Sequence, residues 1–259
     1  MYNISDEVEK RKSELNRIIE ETEKNLKRVP EGRLRIGGRK YYQVTKITGP
    51  NGKYIPVGNT RLIRALAQKD YDLQVFSLAQ KELAHLQSGC FYYGRRFEEI
   101  YDSLHEKRKE LVIPAVLTDD MYIKNWLAQP YEKMGFNDNA PGYFTEGRVH
   151  VRSKSELIIA NRFEKYHVPF LYEVPVYING KTFRPDFLVL KMPERKEFYW
   201  EHLGMLDSEE YCSKNVWKAG FYSEGGIISG YNLILTLETG RAPLDTDNID
   251  RIIRQVLLP

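Results

Sequence analysis

The sequence predicts a mixed α+β or α/β protein in two parts: a basic, mainly helical N-terminal part and a C-terminal part in which helices alternate with strands. Basic side chains are concentrated in residues 31–69, where nine stand against one acidic side chain, a net charge of +8. Beyond residue 150, runs rich in aromatic and branched residues are flanked by segments with helical spacing. The chain of 259 residues has room for a domain of roughly 110 residues beside a second unit.

The first predicted element is a helix over Asp6–Arg28, which ends before Pro30 because a proline disfavours helical backbone in the residue preceding it. A weak heptad-like seam of apolar or small residues runs along this helix. Its members are Val8, Leu15, Thr22 and Val29. One interpretation is an arm that pairs with a partner helix or with a second copy of the chain. The other is a helix packed on its own domain.

The basic segment that follows predicts a small β-hairpin or three-stranded sheet that enters a helix near Thr60. Clustered arginine and lysine with interleaved tyrosine suits nucleic acid, because the cations replace condensed counterions and the rings stack on bases. The alternative is a charged hairpin exposed to solvent without a ligand. The residues expected to contact nucleic acid are Arg33, Arg35, Arg39, Lys40, Tyr41, Tyr42, Lys53, Arg61 and Arg64.

Residues 60–128 predict a mostly helical region with an apolar connector at Leu111–Leu117. A linker is predicted at Asn137–Gly147, which is rich in Gly, Asn and Pro. The predicted organisation is an N-terminal helix, a basic and helical region for substrate or partner binding, and a C-terminal domain. Their bounds are 1–30, 31–145 and 146–259.

Two strand-like runs in the C-terminal part, Lys181–Leu190 and Glu197–Leu203, predict a β-hairpin. If Met192–Arg195 form its loop, residues whose numbers sum to 387 face each other, so Asp186 lies directly opposite Glu201. Their Cβ atoms would then be about 4.5–5.5 Å apart, and like charges so close repel each other. A hard cation such as Mg²⁺, which binds carboxylate oxygens, would turn this repulsion into a metal site. The alternative is that Asp186 starts a turn after a proline and Glu201 lies on a solvated edge strand.

A third acid precedes the hairpin, in a predicted helix over Arg152–Tyr166 with apolar residues at helical spacing. Ser153 and Glu156 fit the capping box, in which a hydroxyl and a carboxylate accept hydrogen bonds from free N–H groups of the first turn. A carboxylate in the first turn also projects from the helix end toward the neighbouring sheet. Glu156 is therefore a cap and a candidate for a second role beside the acidic pair.

The chain closes with a predicted helix, strand and helix. A partial apolar face runs from Asp207 to Tyr222 and predicts the first of these. The nearly continuous apolar run Tyr231–Leu237 predicts a strand covered on both faces. After a cap-like start at Asp245, apolar residues recur to Leu257 and predict a docked terminal helix.

Together with a strand predicted at Phe170–Tyr177, this order of elements and acids resembles the PD-(D/E)xK nuclease superfamily, whose core is an αβββαβ unit. The resemblance covers residues 150–258 and implies a restriction-endonuclease-like core, αβββαβα with the last helix. It implies a nuclease that depends on Mg²⁺ or Mn²⁺ and hydrolyses phosphodiester bonds, with DNA the favoured substrate. By resemblance, Asp186 and Glu201 hold the metal, and Glu156 helps to position the metal or the attacking water.

The chain departs from the family pattern at Leu203, where a lysine is expected two residues after the second acid. In some members the following helix supplies the lysine, and branches similar to the RecB nucleases carry a Q-x-x-x-Y element there. The segment from Lys218 to Tyr222 occupies that place here. Lys218 is therefore the candidate for the relocated lysine, with Lys214 in reserve and Tyr222 in support.

Two functions stay open on these residues. The first is a metal-dependent nuclease, and the second is a catalytically inactive nuclease-like fold that serves as a nucleic-acid-binding or assembly module. The inactive fold stays open because position 203 is a leucine instead of the expected lysine. It also stays open because Lys214 and Lys218 can be interpreted as ordinary solvated helix lysines. His202 is expected to point to the opposite face of its strand from Glu201 and to pack or support rather than bind metal.

The remaining features exclude several other classes. No apolar run approaches the 18 or more residues of a membrane span, and the start of the chain lacks the pattern of a signal peptide. Cys90 and Cys212 are isolated, which argues against a zinc ribbon or a disulfide framework. Neither a phosphate-binding loop nor a dinucleotide-binding glycine motif occurs. We expect a cytoplasmic protein without its own ATP-driven activity.

Overall fold

The computed structural model describes residues 4–90, 92, 94–136 and 142–259. The chain is a mixed α+β protein with several small sheets, and it divides into two compact units. The first unit extends to Met121 and the second begins at Tyr122. This boundary precedes the one expected at residue 145, because Trp126 and Tyr131 pack against strands of the second unit.

The first unit contains a three-stranded sheet and mainly helical segments. Its described elements are α1 (Ile4–Leu26), β1 (Arg33–Gly37), β2 (Lys40–Val44), β3 (Lys53–Ile55), α2 (Thr60–Gln87), α3 (Phe97–Asp102) and α4 (Glu106–Lys109). The strands pair antiparallel in the order β1-β2-β3. Asn59 caps α2 by accepting a hydrogen bond from the backbone N–H of Leu62, so the predicted helix start at Thr60 is confirmed.

Helix α1 packs on its own unit through Leu15 of the predicted seam and through Ile18, which lies outside that seam. Leu15 is fully buried and Ile18 is 1% exposed. Both belong to the apolar cluster that contains Leu66 of α2. Arg11 adds an ion pair with Glu82, with 2.7 Å between Nε and Oε1. The interpretation of α1 as a helix packed on its own domain is confirmed, and these residues are not available to a partner helix or to a second copy.

The second unit begins within helix α5 (Asp119–Leu127). Its further described elements are β4 (Tyr143–Phe144), β5 (His150–Val151), α6 (Lys154–Lys165), β6 (Phe170–Tyr172), β7 (Val176–Ile178), β8 (Lys181–Phe183), β9 (Phe187–Lys191), β10 (Lys196–Leu203), α7 (Glu209–Glu224), β11 (Leu233–Leu237) and α8 (Thr246–Ile252). After α8 the chain continues as π-helix over Ile253–Leu257. Of the predicted linker Asn137–Gly147, residues 137–141 lie outside the described residues, and the remainder includes β4, which pairs with β5.

The main sheet of the second unit has the strand order β11-β10-β9-β6. Strands β6, β9 and β10 are antiparallel neighbours, and β11 runs parallel to β10. The β9–β10 pairing begins with Lys191 opposite Lys196 and ends with Phe187 opposite Trp200, so every pair of numbers sums to 387. The predicted register and the loop Met192–Arg195 are confirmed.

Two strands that the sequence predicted as continuous are each broken. The strand predicted at Phe170–Tyr177 ends after β6, where Glu173 adopts left-handed backbone with φ of 51°. The run predicted at Lys181–Leu190 breaks before β9, at Pro185, which has no N–H to donate to a ladder. The outer pieces, β7 and β8, instead pair with each other as a separate hairpin. The predictions of two uninterrupted strands are therefore wrong.

Helices cover the two faces of the main sheet around β9 and β10. On one face, Phe187 and Trp200 pack with Phe163 of α6 in a buried apolar cluster that α8 also joins. On the other face, Tyr222 of α7 packs with apolar residues of β8 and β11. Because successive side chains of a strand alternate between faces, Glu201 of β10 points toward α7.

The predicted final strand and helix are present, but β11 is not covered on both faces. It lies at the edge of the main sheet, and Leu235 and Leu237 are 37% and 57% exposed. Asp245 caps α8 by accepting hydrogen bonds from the backbone N–H groups of Asp247 and Asn248. In the part of the chain that the structure describes, no helix combines the length and the apolar character needed to cross a membrane.

Candidate active site

The acidic pair lies where β9 and β10 meet. Asp186 immediately precedes β9, and Glu201 immediately follows Trp200, the last residue of β10 that pairs with β9. Continuing the register by one residue sets Asp186 opposite Glu201. The backbone N–H of His202 donates to Oδ2 of Asp186 at 2.6 Å, which fixes this carboxylate against β10. Glu201 is only 5% exposed, so the alternative of a solvated edge acid does not hold.

The surroundings of Asp186 are unfavourable for its negative charge. The residue retains some exposure, but desolvation of its carboxyl group raises the pKa well above the ordinary value, and the charge of Glu201 raises it further. Glu156 acts in the same direction, whereas the N–H of His202 and the ammonium of Lys218 lower this pKa. Three carboxylates and one ammonium thus interact at this point, an excess of negative charge that a divalent cation would neutralise.

Helix α7 delivers two side chains to the second acid. Lys218 contacts Oε1 of Glu201 through its ammonium group, and the Tyr222 hydroxyl donates to Oε2 at 3.1 Å. Residues four apart lie on the same face of a helix, which explains why both reach one carboxylate. Desolvation, followed by the charge of Glu201, raises the pKa of Tyr222, so this phenol stays protonated and donates. Lys214 instead pairs with Glu210 at the surface, with 2.6 Å between Nζ and Oε1.

Glu156 is held at the start of α6 by three donors. Its Oε2 accepts from the backbone N–H of Arg152 at 3.0 Å and from the Tyr172 hydroxyl at 2.6 Å, and its Oε1 accepts from the Ser153 hydroxyl at 2.9 Å. Ser153 Oγ in turn accepts from the backbone N–H of Glu156 at 3.1 Å, which confirms the predicted N-cap. The carboxylate, however, reaches the N–H of residue 152 rather than that of the cap residue, so the capping box is displaced by one residue.

Sequence reasoning missed the partners that hold these acids. Tyr172 contacts Glu156 from β6, and desolvation, followed by that hydrogen bond, raises the pKa of its phenol. An isolated strand tyrosine carries no sequence signal for this contact. His202 lies, as predicted, on the face opposite Glu201, where Nδ1 is 3.1 Å from the Thr236 hydroxyl and Nε2 is 3.3 Å from Oε1 of Glu238. It supports the strand that carries Glu201.

Asp186 and Glu201 are the residues that could hold a divalent metal. Among the described residues, no group of three or more His, Cys, Asp or Glu side chains is gathered closely enough to hold a metal ion. Mg²⁺ is commonly bound through one or two carboxylates and keeps several of its waters, so a pair of acids with excess negative charge fits this ion. The donor set does not fit a structural zinc site, which needs four nitrogen or sulfur ligands.

The basic sheet of the first unit has one inward and one outward face. Leu34 and Ile55 are buried in the apolar cluster of the unit, and Tyr41 packs against the same cluster. The outward face carries a row across the three strands, in which Arg35, Tyr42 and Tyr54 are paired in register. The other expected cations are exposed; they are Arg33, Arg39, Lys40, Lys53, Arg61 and Arg64.

The row of Arg35, Tyr42 and Tyr54 brings one guanidinium and two tyrosine rings together on the outward face. The Arg35 guanidinium lies 4.2 Å from the centroid of the Tyr42 ring, and the two tyrosine rings meet edge to face at 6.0 Å. Tyr54 is 49% exposed and was not among the expected contacts. Tyr41, which was among them, turns inward because its position in β2 alternates with that of Tyr42.

Comparisons of the chain with models of protein families, with curated proteins and with solved structures found no match.

Proposed function

We propose that the second unit is a nuclease that depends on Mg²⁺ or Mn²⁺ and hydrolyses phosphodiester bonds. The observation that carries the proposal is the convergence of Asp186, Glu201 and Lys218. Two acids from paired strands and a lysine from the next helix meet at one point. The contact of Lys218 with the second acid supports its assignment as the relocated lysine in place of Leu203.

The order of elements also supports a core similar to the PD-(D/E)xK superfamily. From α6 the chain runs through the strands β6, β9 and β10, then α7, β11 and α8. The hairpin β7–β8 interrupts this series as an insertion that pairs with itself. The remaining order is αβββαβα, with three antiparallel strands and a last strand parallel to the third.

In this proposal Asp186 and Glu201 would hold the metal ion, which would polarise a phosphoryl oxygen and acidify a bound water. Tyr222 fixes the orientation of Glu201 through its hydrogen bond, and the N–H of His202 does the same for Asp186. An ammonium group has three N–H donors, so its contact with Glu201 leaves Lys218 with donors for a phosphate oxygen. There the positive charge stabilises the negative charge that develops during hydrolysis.

Glu156 is a positioning residue in the proposed mechanism. Its carboxylate oxygens are engaged by Tyr172, by the Ser153 hydroxyl and by the backbone of residue 152. Its charge nonetheless raises the pKa of Asp186, after the larger effects of desolvation and of Glu201, so it adds to the negative potential around the pair. We assign it to the orientation of water and cation rather than to direct transfer of a proton.

The substrate in this proposal is nucleic acid, with DNA favoured. The support comes from the first unit, where the outward face of the basic sheet combines cations with Tyr42 and Tyr54. Arginine and lysine on such a face neutralise phosphates without reading the base sequence. This contact would position the strand and would supply affinity, while the chemistry belongs to the second unit.

A second candidate function is a nuclease-like module that binds nucleic acid or organises an assembly without cleaving. It is favoured by Leu203 and by the absence, among the described residues, of a cluster of three or more potential metal ligands. In that case the ammonium group of Lys218 would take the place of a metal ion beside Glu201, and the ion pair would have a structural role.

A cleavage assay separates the two functions. Labelled single-stranded DNA, duplex DNA and RNA would be incubated with the full chain in Mg²⁺, in Mn²⁺ and in EDTA. A nuclease cleaves at least one substrate only with metal, and Asp186→Asn abolishes the cleavage. Asp247→Asn, an exposed acid in α8, is the matched control and should cleave like the parent. Binding of nucleic acid without cleavage under every condition would establish the inactive module instead.

A further inference from the structure

Helix α7, which carries Lys218, also carries an exposed indole. Trp217 precedes Lys218 in α7 and is 53% exposed, whereas Trp126 and Trp200 are 7% and 0% exposed. A half-exposed tryptophan is unusual, because its large apolar surface gains most when it is buried. Its proximity in sequence to the lysine of the acidic site gives this exposure a candidate role.

The indole is supported from one side by other aromatic rings. Phe221, one turn along α7, has its ring centroid 4.6 Å from that of Trp217, and Phe183 of β8 has its centroid 6.0 Å away. Phe183 is 8% exposed and packs with Phe221 at 5.4 Å, so the support belongs to the apolar core of the unit. Trp217 is therefore the outer member of an aromatic cluster whose inner ring, Phe183, is buried.

A cation accompanies this cluster. The ammonium of Lys181 in β8 lies 4.5 Å from the centroid of the Trp217 ring and 4.4 Å from that of Phe221. The residue itself is exposed, so its ammonium is free to move to another acceptor at the surface. Trp217, Phe221 and Lys181 together form what we call the Trp217 platform.

The chemistry of the platform matches one class of ligand best. An exposed ring stacks on a nucleobase irrespective of sequence, and a neighbouring ammonium neutralises the adjoining phosphate. In a closed duplex the base faces are already stacked on each other, so a ring of this kind can engage only an unpaired base. A purely apolar protein partner would leave the ammonium desolvated without an anion, which is unfavourable.

We propose that Trp217 stacks on an unpaired base of the substrate and that Lys181 contacts a phosphate next to that base. The proposed nuclease then takes strands with an unpaired segment, such as single strands, flaps or frayed ends, in preference to closed duplex. This inference rests on the proposed function for the identity of the ligand as nucleic acid. It does not rest on cleavage, since stacking needs neither metal nor hydrolysis.

The test is a fluorescence titration in EDTA, in which nothing is cleaved. The probes are a short oligothymidine and a blunt DNA hairpin of equal charge, whose two strands are joined by a hexaethylene-glycol linker so that it contains no unpaired base. The platform predicts that oligothymidine quenches the tryptophan emission of the parent and that the hairpin does so far less. Trp217→Phe should bind with similar affinity but lose most of the quenching, because an aromatic ring still stacks while the exposed fluorophore is gone.

Two further variants separate stacking from charge. Trp217→Leu should weaken oligothymidine binding by about tenfold, whereas the control Val216→Ala, 76% exposed on the same helix, should bind like the parent. Lys181→Gln should flatten the log–log salt dependence of oligothymidine binding by about 0.7, the value for one neutralised phosphate of a single strand. Thermal unfolding of each variant establishes that the second unit remains folded.

The ways in which the test can fail are distinguishable. Unchanged affinity of Trp217→Leu for oligothymidine, or equal quenching by the blunt hairpin, would overturn the inference, even if the parent cleaves nucleic acid in Mg²⁺. Quenching that depends on Trp217 in a parent that never cleaves would uphold the inference and reject the nuclease. Absence of quenching by either probe would show that the platform does not bind nucleic acid.

Discussion

The contact between Lys218 and Glu201 predicts an energetic coupling that can be measured without any substrate. The perturbation is Lys218→Met, which keeps much of the apolar stem and removes the charge. It leaves Glu201 as a carboxylate 5% exposed, with the charge of Asp186 nearby. Breaking a fully buried ion pair costs about 3–5 kcal/mol. Because the Lys218 side chain is 25% exposed, solvent screens part of this, and we expect a loss of about 2–3 kcal/mol.

The assay is urea unfolding followed by tryptophan fluorescence. The three tryptophans of the chain, at 126, 200 and 217, all belong to the second unit, so the signal reports the unit that contains the pair. Lys214→Met is the matched control, because Lys214 and its partner Glu210 are 72% and 79% exposed at their side chains. The control should unfold like the parent.

A double-mutant cycle isolates the pair itself. In a Glu201→Gln background the buried charge is absent, so adding Lys218→Met should cost less than about 0.5 kcal/mol, which gives a coupling of about 2 kcal/mol. Additive effects within about 0.5 kcal/mol would refute the contact. An equal loss of stability in Lys214→Met would also contradict the assignment. It would show that removing either lysine of α7 destabilises the unit, whether or not that lysine contacts Glu201.

Three further outcomes are expected. Asp186→Asn should raise the stability of the metal-free protein by about 1 kcal/mol in the same urea assay, because it removes a like-charge pair and keeps an acceptor for the N–H of His202; a loss of stability would contradict this. Neutralising four exposed cations of the basic sheet should flatten the salt dependence of DNA binding by about 0.9 in log–log slope for each phosphate that the variant no longer neutralises, as measured with labelled duplex at several salt concentrations. The four are Arg33, Arg35, Arg39 and Lys40. Burial raises the pKa of Asp72, so the folded state loses stability as pH rises past the ordinary value of about 3.9 toward the raised value. Circular-dichroism melting at pH 4 and pH 7 should therefore show Asp72→Asn gaining stability relative to the parent at pH 7, and an equal difference at both pH values would exclude this linkage.

The register of the acidic pair was predictable because the alternation of a hairpin and the length of its loop together determine it. Once Met192–Arg195 form the loop, the position of Asp186 relative to Glu201 follows from the period of the strand. The start of α6 was predictable for a similar local reason, since Ser153 is a strong N-cap. The arrival of Lys218 at Glu201 required an additional assumption, the resemblance to a family whose following helix supplies a lysine.

Features that depend on tertiary packing were not predictable. The break at Glu173 has no local signal, because glutamate disfavours the left-handed backbone that it adopts there. The contact of Tyr172 with Glu156 joins residues 16 apart across two elements. The choice of α1 between its own unit and a partner was also undetermined, because the same apolar seam serves either surface. In each case the surrounding fold decides between locally similar alternatives.

Calorimetric titration with Mn²⁺ examines the acidic pair without assuming a substrate. We expect the parent and the control Asp247→Asn to bind Mn²⁺ with equal affinity and Asp186→Asn to bind at least tenfold more weakly. Equal affinity in all three proteins, or no binding by the parent, would contradict the assignment of Asp186 and Glu201 as a metal site.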